Sequence, residues 1–251
     1  MSGVKRKFWI LTGEGIECER EAFRFFTLPA FEAEAEYLPV PALLGGRLRL
    51  KDLAKAGDWI FLPGGFSFAD HYGSGKLLAF ELARIGFLKE ALAAGVNLMG
   101  VCNGFQVLVE TKLFGPDLRL LHNRRDGRGL GFINRWVECR AGGSLADKPL
   151  RLSVRHGEGR LAGKWSPETQ PFLHYCDAEF SNGSQDDVAG LVTRHHSSKV
   201  VGLMPHPEVS ARKVDDPDAL PTETFPQFRP AFYAPESDGV TLVKALLEDT
   251  L

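Results

Sequence analysis

Gly100-Val101-Cys102-Asn103-Gly104 stands between the apolar run Val96-Asn97-Leu98-Met99 and the helix-like run Phe105-Gln106-Val107-Leu108-Val109-Glu110. Strand, sharp turn and helix in that order are the context of a nucleophile elbow. The glycines let the backbone turn tightly, and the side chain between them is pushed out at the top of a sheet. Here that side chain is a thiol. At a helix N-terminus it feels the positive end of the helix dipole, which favours its thiolate form. The plainer alternative is a buried structural cysteine beside packing glycines. The five residues alone do not separate the two.

Outward from this stretch, apolar runs alternate with helix-like segments. Residues 8–11 read as a first strand. Residues 17–26 read as a helix, with Ile16, Phe23 and Phe26 toward the core. Residues 35–40 and 58–62 read as further strands, the latter stopped by Pro63-Gly64-Gly65. Residues 76–94 have helical periodicity, with Gly86 as a weak point. Such alternation implies an α/β fold with a mostly parallel sheet flanked by helices, whose ligands bind at the carboxyl ends of the strands. The second half is strand-rich and open to antiparallel pairing, with short apolar runs at 132–133, 136–139, 150–154, 188–192 and 200–204. Residues 215–237 are rich in Pro, Asp and Phe and read as irregular surface chain. Residues 240–247 read as a closing helix.

Composition narrows the class. With 251 residues, 44% hydrophobic and 25% charged, the chain can bury a full core, and it reads as a single domain over residues 1–251. A net charge of -2 gives no nucleic-acid-binding signature. No apolar stretch approaches a membrane span, and the run at 8–11 is too short for a signal-peptide core. The four cysteines, Cys18, Cys102, Cys139 and Cys176, are scattered without a C-x-x-C pair. Neither a metal site nor a disulfide framework is expected, and reduced thiols in a cytoplasm are.

A nucleophilic cysteine needs a base, and the base needs an orienting group. Met204-Pro205-His206-Pro207-Glu208 follows the apolar strand Val200-Val201-Gly202-Leu203. Two prolines keep that segment extended. Residues two apart then share a face, so Glu208 can hold His206 in one tautomer. A surface histidine in a proline-rich loop is the competing reading. Pro63-Gly64-Gly65-Phe66-Ser67 exposes backbone N–H groups. One of them, with the N–H of Asn103, can form an oxyanion hole.

Together these elements resemble the class I (triad) glutamine amidotransferases, which implies a flavodoxin-like sheet. LPGGFSFAD, GVCNGFQVL, HGEGR at 156–160, SNGSQDDVAGL at 181–191 and VVGLMPHPE look like the branch that forms the glutaminase subunit of phosphoribosylformylglycinamidine synthases. The resemblance implies Cys102, His206 and Glu208 as catalytic residues. It implies that Gly64, Gly65, Phe66, Ser67, Asn103 and Gln106 bind L-glutamine. Gln106 lies one helical turn past Cys102, on the same face. It also implies ammonia transfer to a synthetase subunit in de novo purine biosynthesis. That partner would hold ATP and magnesium; this chain, expected to need no cofactor of its own, carries no Walker A pattern. A small third subunit is left open. A sibling amidotransferase, an independent cysteine hydrolase and a non-catalytic relative are the alternatives.

There are departures from the family pattern. The entry loop Thr12-Gly13-Glu14-Gly15-Ile16-Glu17 lacks the usual asparagine. The loop over residues 68–75 lacks the usual arginine, and Val209 stands where an arginine is common. His195-His196 reads as a surface turn, and His174 with Cys176 as strand residues without a metal. Arg124-Arg125-Asp126-Gly127-Arg128 is a basic loop, either solvated or docking on the synthetase. Cys18, Cys139 and Cys176 are read as inert.

Overall fold

Three of the first four strands are short apolar runs, the edge strand alone being largely polar, and each ends where a glycine, a proline or the elbow stops it. A computed structural model describes residues 6–209 and 237–251. In chain order the elements are β1 (Lys7–Thr12), α1 (Glu19–Phe26), β2 (Glu34–Pro39), α2 (Val40–Leu44), β3 (Trp59–Leu62), α3 (Lys76–Arg84), α4 (Phe87–Ala93), β4 (Asn97–Val101) and α5 (Asn103–Glu110). They continue as β5 (Arg119–Leu121), β6 (Arg124–Arg125), β7 (Arg128–Gly129), β8 (Ile133–Ala141), β9 (Leu150–His156), β10 (Arg160–Ala162), β11 (Gln170–Tyr175), β12 (Val188–His195), β13 (Ser198–Leu203) and α6 (Asp238–Leu247).

Nine strands form one sheet in the order β2-β1-β3-β4-β13-β12-β11-β8-β9. Pairing is parallel from β2 through β13 and antiparallel from β13 to β9. The strand-rich second half is thus an antiparallel extension of the first half's sheet. The strands flanking the elbow are buried on both faces, which is why they read as unbroken apolar runs: β3 and β13 are buried throughout. An aromatic cluster fills the space beneath α1. Phe8 stacks on Phe26 at 3.8 Å, and Phe26 meets Phe61 edge-on at 4.9 Å. Phe25 and Phe26 are buried on α1, whereas Phe23, expected on the buried side, is only partly covered. The predicted helix at 76–94 breaks where expected. Gly86 takes φ 70 and starts α4 after α3 has ended.

Polar groups fasten the sheet at its far end. Buried Asp58 accepts from the Lys7 N–H, the Lys55 N–H and the Trp9 indole. Buried Lys199 on β13 donates to the Leu246 carbonyl at 2.5 Å and pairs with Asp249, pinning α6. The segment 215–237 lies outside the described residues except for Ser237, which caps α6 through its hydroxyl on the Val240 N–H. No helix among the described residues is long and apolar enough to cross a membrane.

Candidate active site

β4 runs straight into α5 with a single residue, Cys102, between them. Cys102 takes φ 52 and ψ -109, a left-handed conformation strained for a residue with a β-carbon. The turn closes only because its flanking glycines are bare. A β-carbon on Gly100 would strike the backbone of Gly104, and one on Gly104 would strike the carbonyl of Leu62 in β3. The elbow is therefore packed backbone to backbone against the central strands, and the thiol is thrown outward.

β13 lies beside β4 in parallel, so the chain beyond β13 emerges next to the elbow. The Cys102 N–H donates to the Leu203 carbonyl at 2.9 Å. Three residues later His206 is buried, and its Nδ1 donates to Glu208 Oε1 at 2.6 Å. The chain is bridged to Ser153 at His206 and then turns over residues 207–209, so the two side chains meet across a turn and not along the extended chain their spacing predicts. Burial alone would disfavour the charged ring. The Glu208 carboxylate, with the two nearby thiols, outweighs it and holds the His206 pKa well above the ordinary histidine range. Cys102 lies beside this imidazole.

A cleft of about 170 Å³ opens above the thiol, with Gly65, Phe66 and Gln106 among its walls. Gly64 lies deeper. A β-carbon on it would come within 2.7 Å of His206 Cε1 and 3.4 Å of Cys102 Cβ. Ser67 and Asn103 sit behind the wall, with Asn103 Oδ1 accepting from the Ser67 N–H at 3.1 Å. Asn103 Nδ2 also donates to Asp70 Oδ1 at 2.9 Å and to Gln106 Oε1 at 3.0 Å. Gln106 Nε2 in turn donates to the Glu158 carbonyl at 2.7 Å. Of the six predicted binding residues, Gly65, Phe66 and Gln106 line the cleft while Gly64, Ser67 and Asn103 pack behind it, and Gln106 has both amide ends engaged by the protein.

The residues from one strand–turn–helix, one glycine loop and one strand end form a cysteine–histidine–carboxylate constellation. The match to known sequences fits it. Residues 5–232 match the CobB/CobQ-like glutamine amidotransferase domain. The chain belongs to this glutamine amidotransferase family. Phosphoribosylformylglycinamidine synthase subunit PurQ of Thermotoga maritima is 31% identical to it, over 82% of this chain and 88% of that one. The protein of the same name from Methanococcus maripaludis C5 is 28% identical over 84% and 86% of the two chains. Among solved structures, PurLQS from Thermotoga maritima superposes with a TM-score of 0.64 at 27% identity, covering 84% of this chain and 91% of that one. A Thermoplasma acidophilum protein assigned to GMP synthase shares the fold alone, at 12% identity with a TM-score of 0.54, over 82% of this chain and 86% of that one.

In this amidotransferase the HGEGR segment forms the opposite wall of the cleft. β9 stands at the far edge of the sheet order, with four strands between it and β4. Its end nonetheless reaches the elbow. The His206 N–H donates to the Ser153 carbonyl at 2.8 Å, and the Cys102 thiol donates to the Arg155 carbonyl at 3.4 Å. The antiparallel half therefore curls back over the nucleophile. His156, at the end of β9, is buried in the cleft wall, and neither ring nitrogen meets a protein partner. Burial, then the neighbouring His206, lowers its pKa to about 3, so it stays neutral. Two asparagines hold this wall. Asn123 Nδ2 donates to the His156 carbonyl at 2.7 Å, while its Oδ1 accepts from the Gly159 N–H at 3.1 Å. Asn182, from the SNGS segment, donates to the Gly159 carbonyl at 2.9 Å. Neither asparagine was singled out by sequence. Their packing ties HGEGR to SNGS, two motifs whose connection the chain order hides.

The other sequence candidates fall elsewhere. His195 bonds the Leu113 carbonyl and His196 sits in the β12–β13 turn. His174 bonds the Asp186 carbonyl. Arg124 to Arg128 make a small exposed hairpin of β6 and β7. Cys139 is buried in β8. Cys18, read as inert, is the N-cap residue of α1, and its Sγ lies within 4.8 Å of side-chain atoms of His206 and Glu208.

Proposed function

We propose that this amidotransferase is the glutaminase subunit of a phosphoribosylformylglycinamidine synthase. It hydrolyses L-glutamine to glutamate and ammonia, and the ammonia passes to a synthetase subunit in de novo purine biosynthesis. The observation that supports this reading most is the buried His206–Glu208 pair beside a thiol at an elbow, in a chain of the glutamine amidotransferase family whose relatives are named phosphoribosylformylglycinamidine synthase subunit PurQ.

The chemistry follows from the arrangement. His206 takes the Cys102 proton, and the thiolate attacks the side-chain amide carbon of glutamine. The N–H groups of Asn103 and Gly65 hold the oxyanion. The Phe66 N–H donates to the Gly15 carbonyl and the Glu17 N–H to the Gly64 carbonyl, which leaves the Gly65 N–H out of that exchange and available. His206 then returns the proton to the leaving ammonia, and water cleaves the thioester. Glu208 keeps the imidazole in the tautomer this requires. Phe66 and Gln106 shape the pocket for the substrate, Ser67 and Asn103 hold its loop, and neutral His156 offers a hydrogen bond to the bound amino acid.

The chain, read as one domain over residues 1–251, uses no cofactor of its own. ATP and magnesium belong to the synthetase partner, in a cytoplasmic pathway without nucleic acid or membrane. The test is reconstitution. Mixed with the synthetase subunit, the chain should give glutamine-dependent formylglycinamidine ribonucleotide. Failure there, with success beside a different amidotransferase synthetase, would move it to a sibling branch.

A further inference from the structure

Cys18 and Cys102 occupy equivalent places in the fold. Each follows a central parallel strand, β1 or β4, and each is the N-cap residue of the next helix. Both lie beside the same imidazole, that of His206. The ligand atoms of Cys18, His206 and Glu208 lie within 4.8 Å of one another. Gly64, lacking a β-carbon, lets both cysteines and the His206 ring close on one point, with His206 Cε1 2.7 Å from it. Cys18 Sγ and Cys102 Cβ lie 3.3 Å and 3.4 Å from the point where a β-carbon on Gly64 would stand. The Cys18 N–H is anchored to the Gly64 carbonyl at 3.2 Å, which fixes its approach.

We propose that Cys18 is a resolving thiol that forms a reversible disulfide with Cys102 when a peroxide oxidises the nucleophile, switching the glutaminase off. This rests on the reading of Cys102 as the nucleophile. In the first step the Cys102 thiolate attacks one peroxide oxygen. The O–O bond breaks, a sulfenic acid forms, and hydroxide leaves to take up a proton as water. In the second, His206 accepts the Cys18 proton and the Cys18 sulfur attacks the Cys102 sulfur. The S–O bond breaks, the S–S bond forms, and the departing hydroxide takes that proton as a second water. Two thiols have then lost two electrons and one peroxide has gained them. The base matters because burial pushes the Cys18 thiol up, with His206 only partly opposing, so the thiol needs His206 to deprotonate it. A cellular dithiol reverses the bond. The disulfide protects Cys102 from irreversible oxidation to the sulfinic acid.

The test uses the full chain with its synthetase partner, exposed to hydrogen peroxide and then to dithiothreitol, as wild type, Cys18→Ala and Cys18→Ser. Non-reducing peptide mass mapping should show a Cys18–Cys102 link in the wild type alone. Wild type should regain about tenfold more of its untreated glutamine-driven activity than either variant, whose Cys102 proceeds to the sulfinic acid. Absence of the linked peptide in inactivated wild type, or equal recovery in all three proteins, overturns the switch. Untreated Cys102→Ala, run in parallel, separates the two readings. If it keeps glutamine-driven turnover, the assignment of the nucleophile has failed, whereas the linked peptide is read without any activity.

Discussion

His206 Nδ1 and Glu208 Oε1 are 2.6 Å apart, and both side chains are buried beneath the elbow that carries Cys102. A charged pair this buried is held for what it does to the imidazole, since removing one partner strands the other in a low-dielectric site. Glu208→Gln keeps the shape and loses the charge that holds His206 in its tautomer. Glutamine-driven kcat should fall on the order of 10³-fold or more, with circular dichroism unchanged. A loss below tenfold would remove Glu208 from the orienting role.

Cys102 has φ 52, so the nucleophile is held at a cost of about 1–3 kcal/mol that only glycine escapes. Cys102→Ala and Cys102→Gly both delete the thiol, but only the second relieves the strain. Urea unfolding should find Cys102→Gly more stable than Cys102→Ala by about 1 kcal/mol, after glycine's own entropic cost. Equal stability would mean the turn is not strained.

Gly104 faces the Leu62 carbonyl with no room for a methyl group. The clash is with backbone in a fully buried strand, which cannot move aside. Gly104→Ala should lower stability by about 3 kcal/mol and reduce soluble yield. A midpoint matching the wild type would show that β3 and α5 are less tightly joined than described.

His156 has a folded pKa of about 3, depressed by burial and by His206, against an ordinary value of 6.5. A depressed pKa gives stability that is present above the unfolded value and lost as pH falls through 6.5 toward 3. Between pH 7 and pH 5 the wild type should lose about 2 kcal/mol more than His156→Gln, which has no proton to bind. Chemical unfolding at the two pH values measures this. Parallel losses in both proteins would mean that His156 titrates normally.

What was legible in the sequence was local. The elbow declares itself because strand, turn and helix are contiguous around Cys102. His206 and Glu208 declare themselves because a carboxylate two residues from a histidine is within reach of its ring, although the chain between them turns instead of running extended. Contacts made only by the curl of the sheet left no such mark. Periodicity marks β8 and β9 as strands, but not that β9 bends round to the nucleophile. Asn123 and Asn182 read as loop residues until their side chains are seen to hold the HGEGR turn. Cys18 looked inert because nothing in its neighbourhood of the chain predicts that the loop after β1 meets the loop after β3 at His206.

The central claim is that Cys102 is the nucleophile of a glutaminase serving a separate synthetase. It is tested most directly by Cys102→Ala in the reconstituted complex, assayed with glutamine and, separately, with ammonium. The account predicts loss of the glutamine-driven reaction and an ammonia-driven rate equal to that of the wild type. Retention of glutamine-driven turnover, or loss of both reactions in an intact complex, would contradict it.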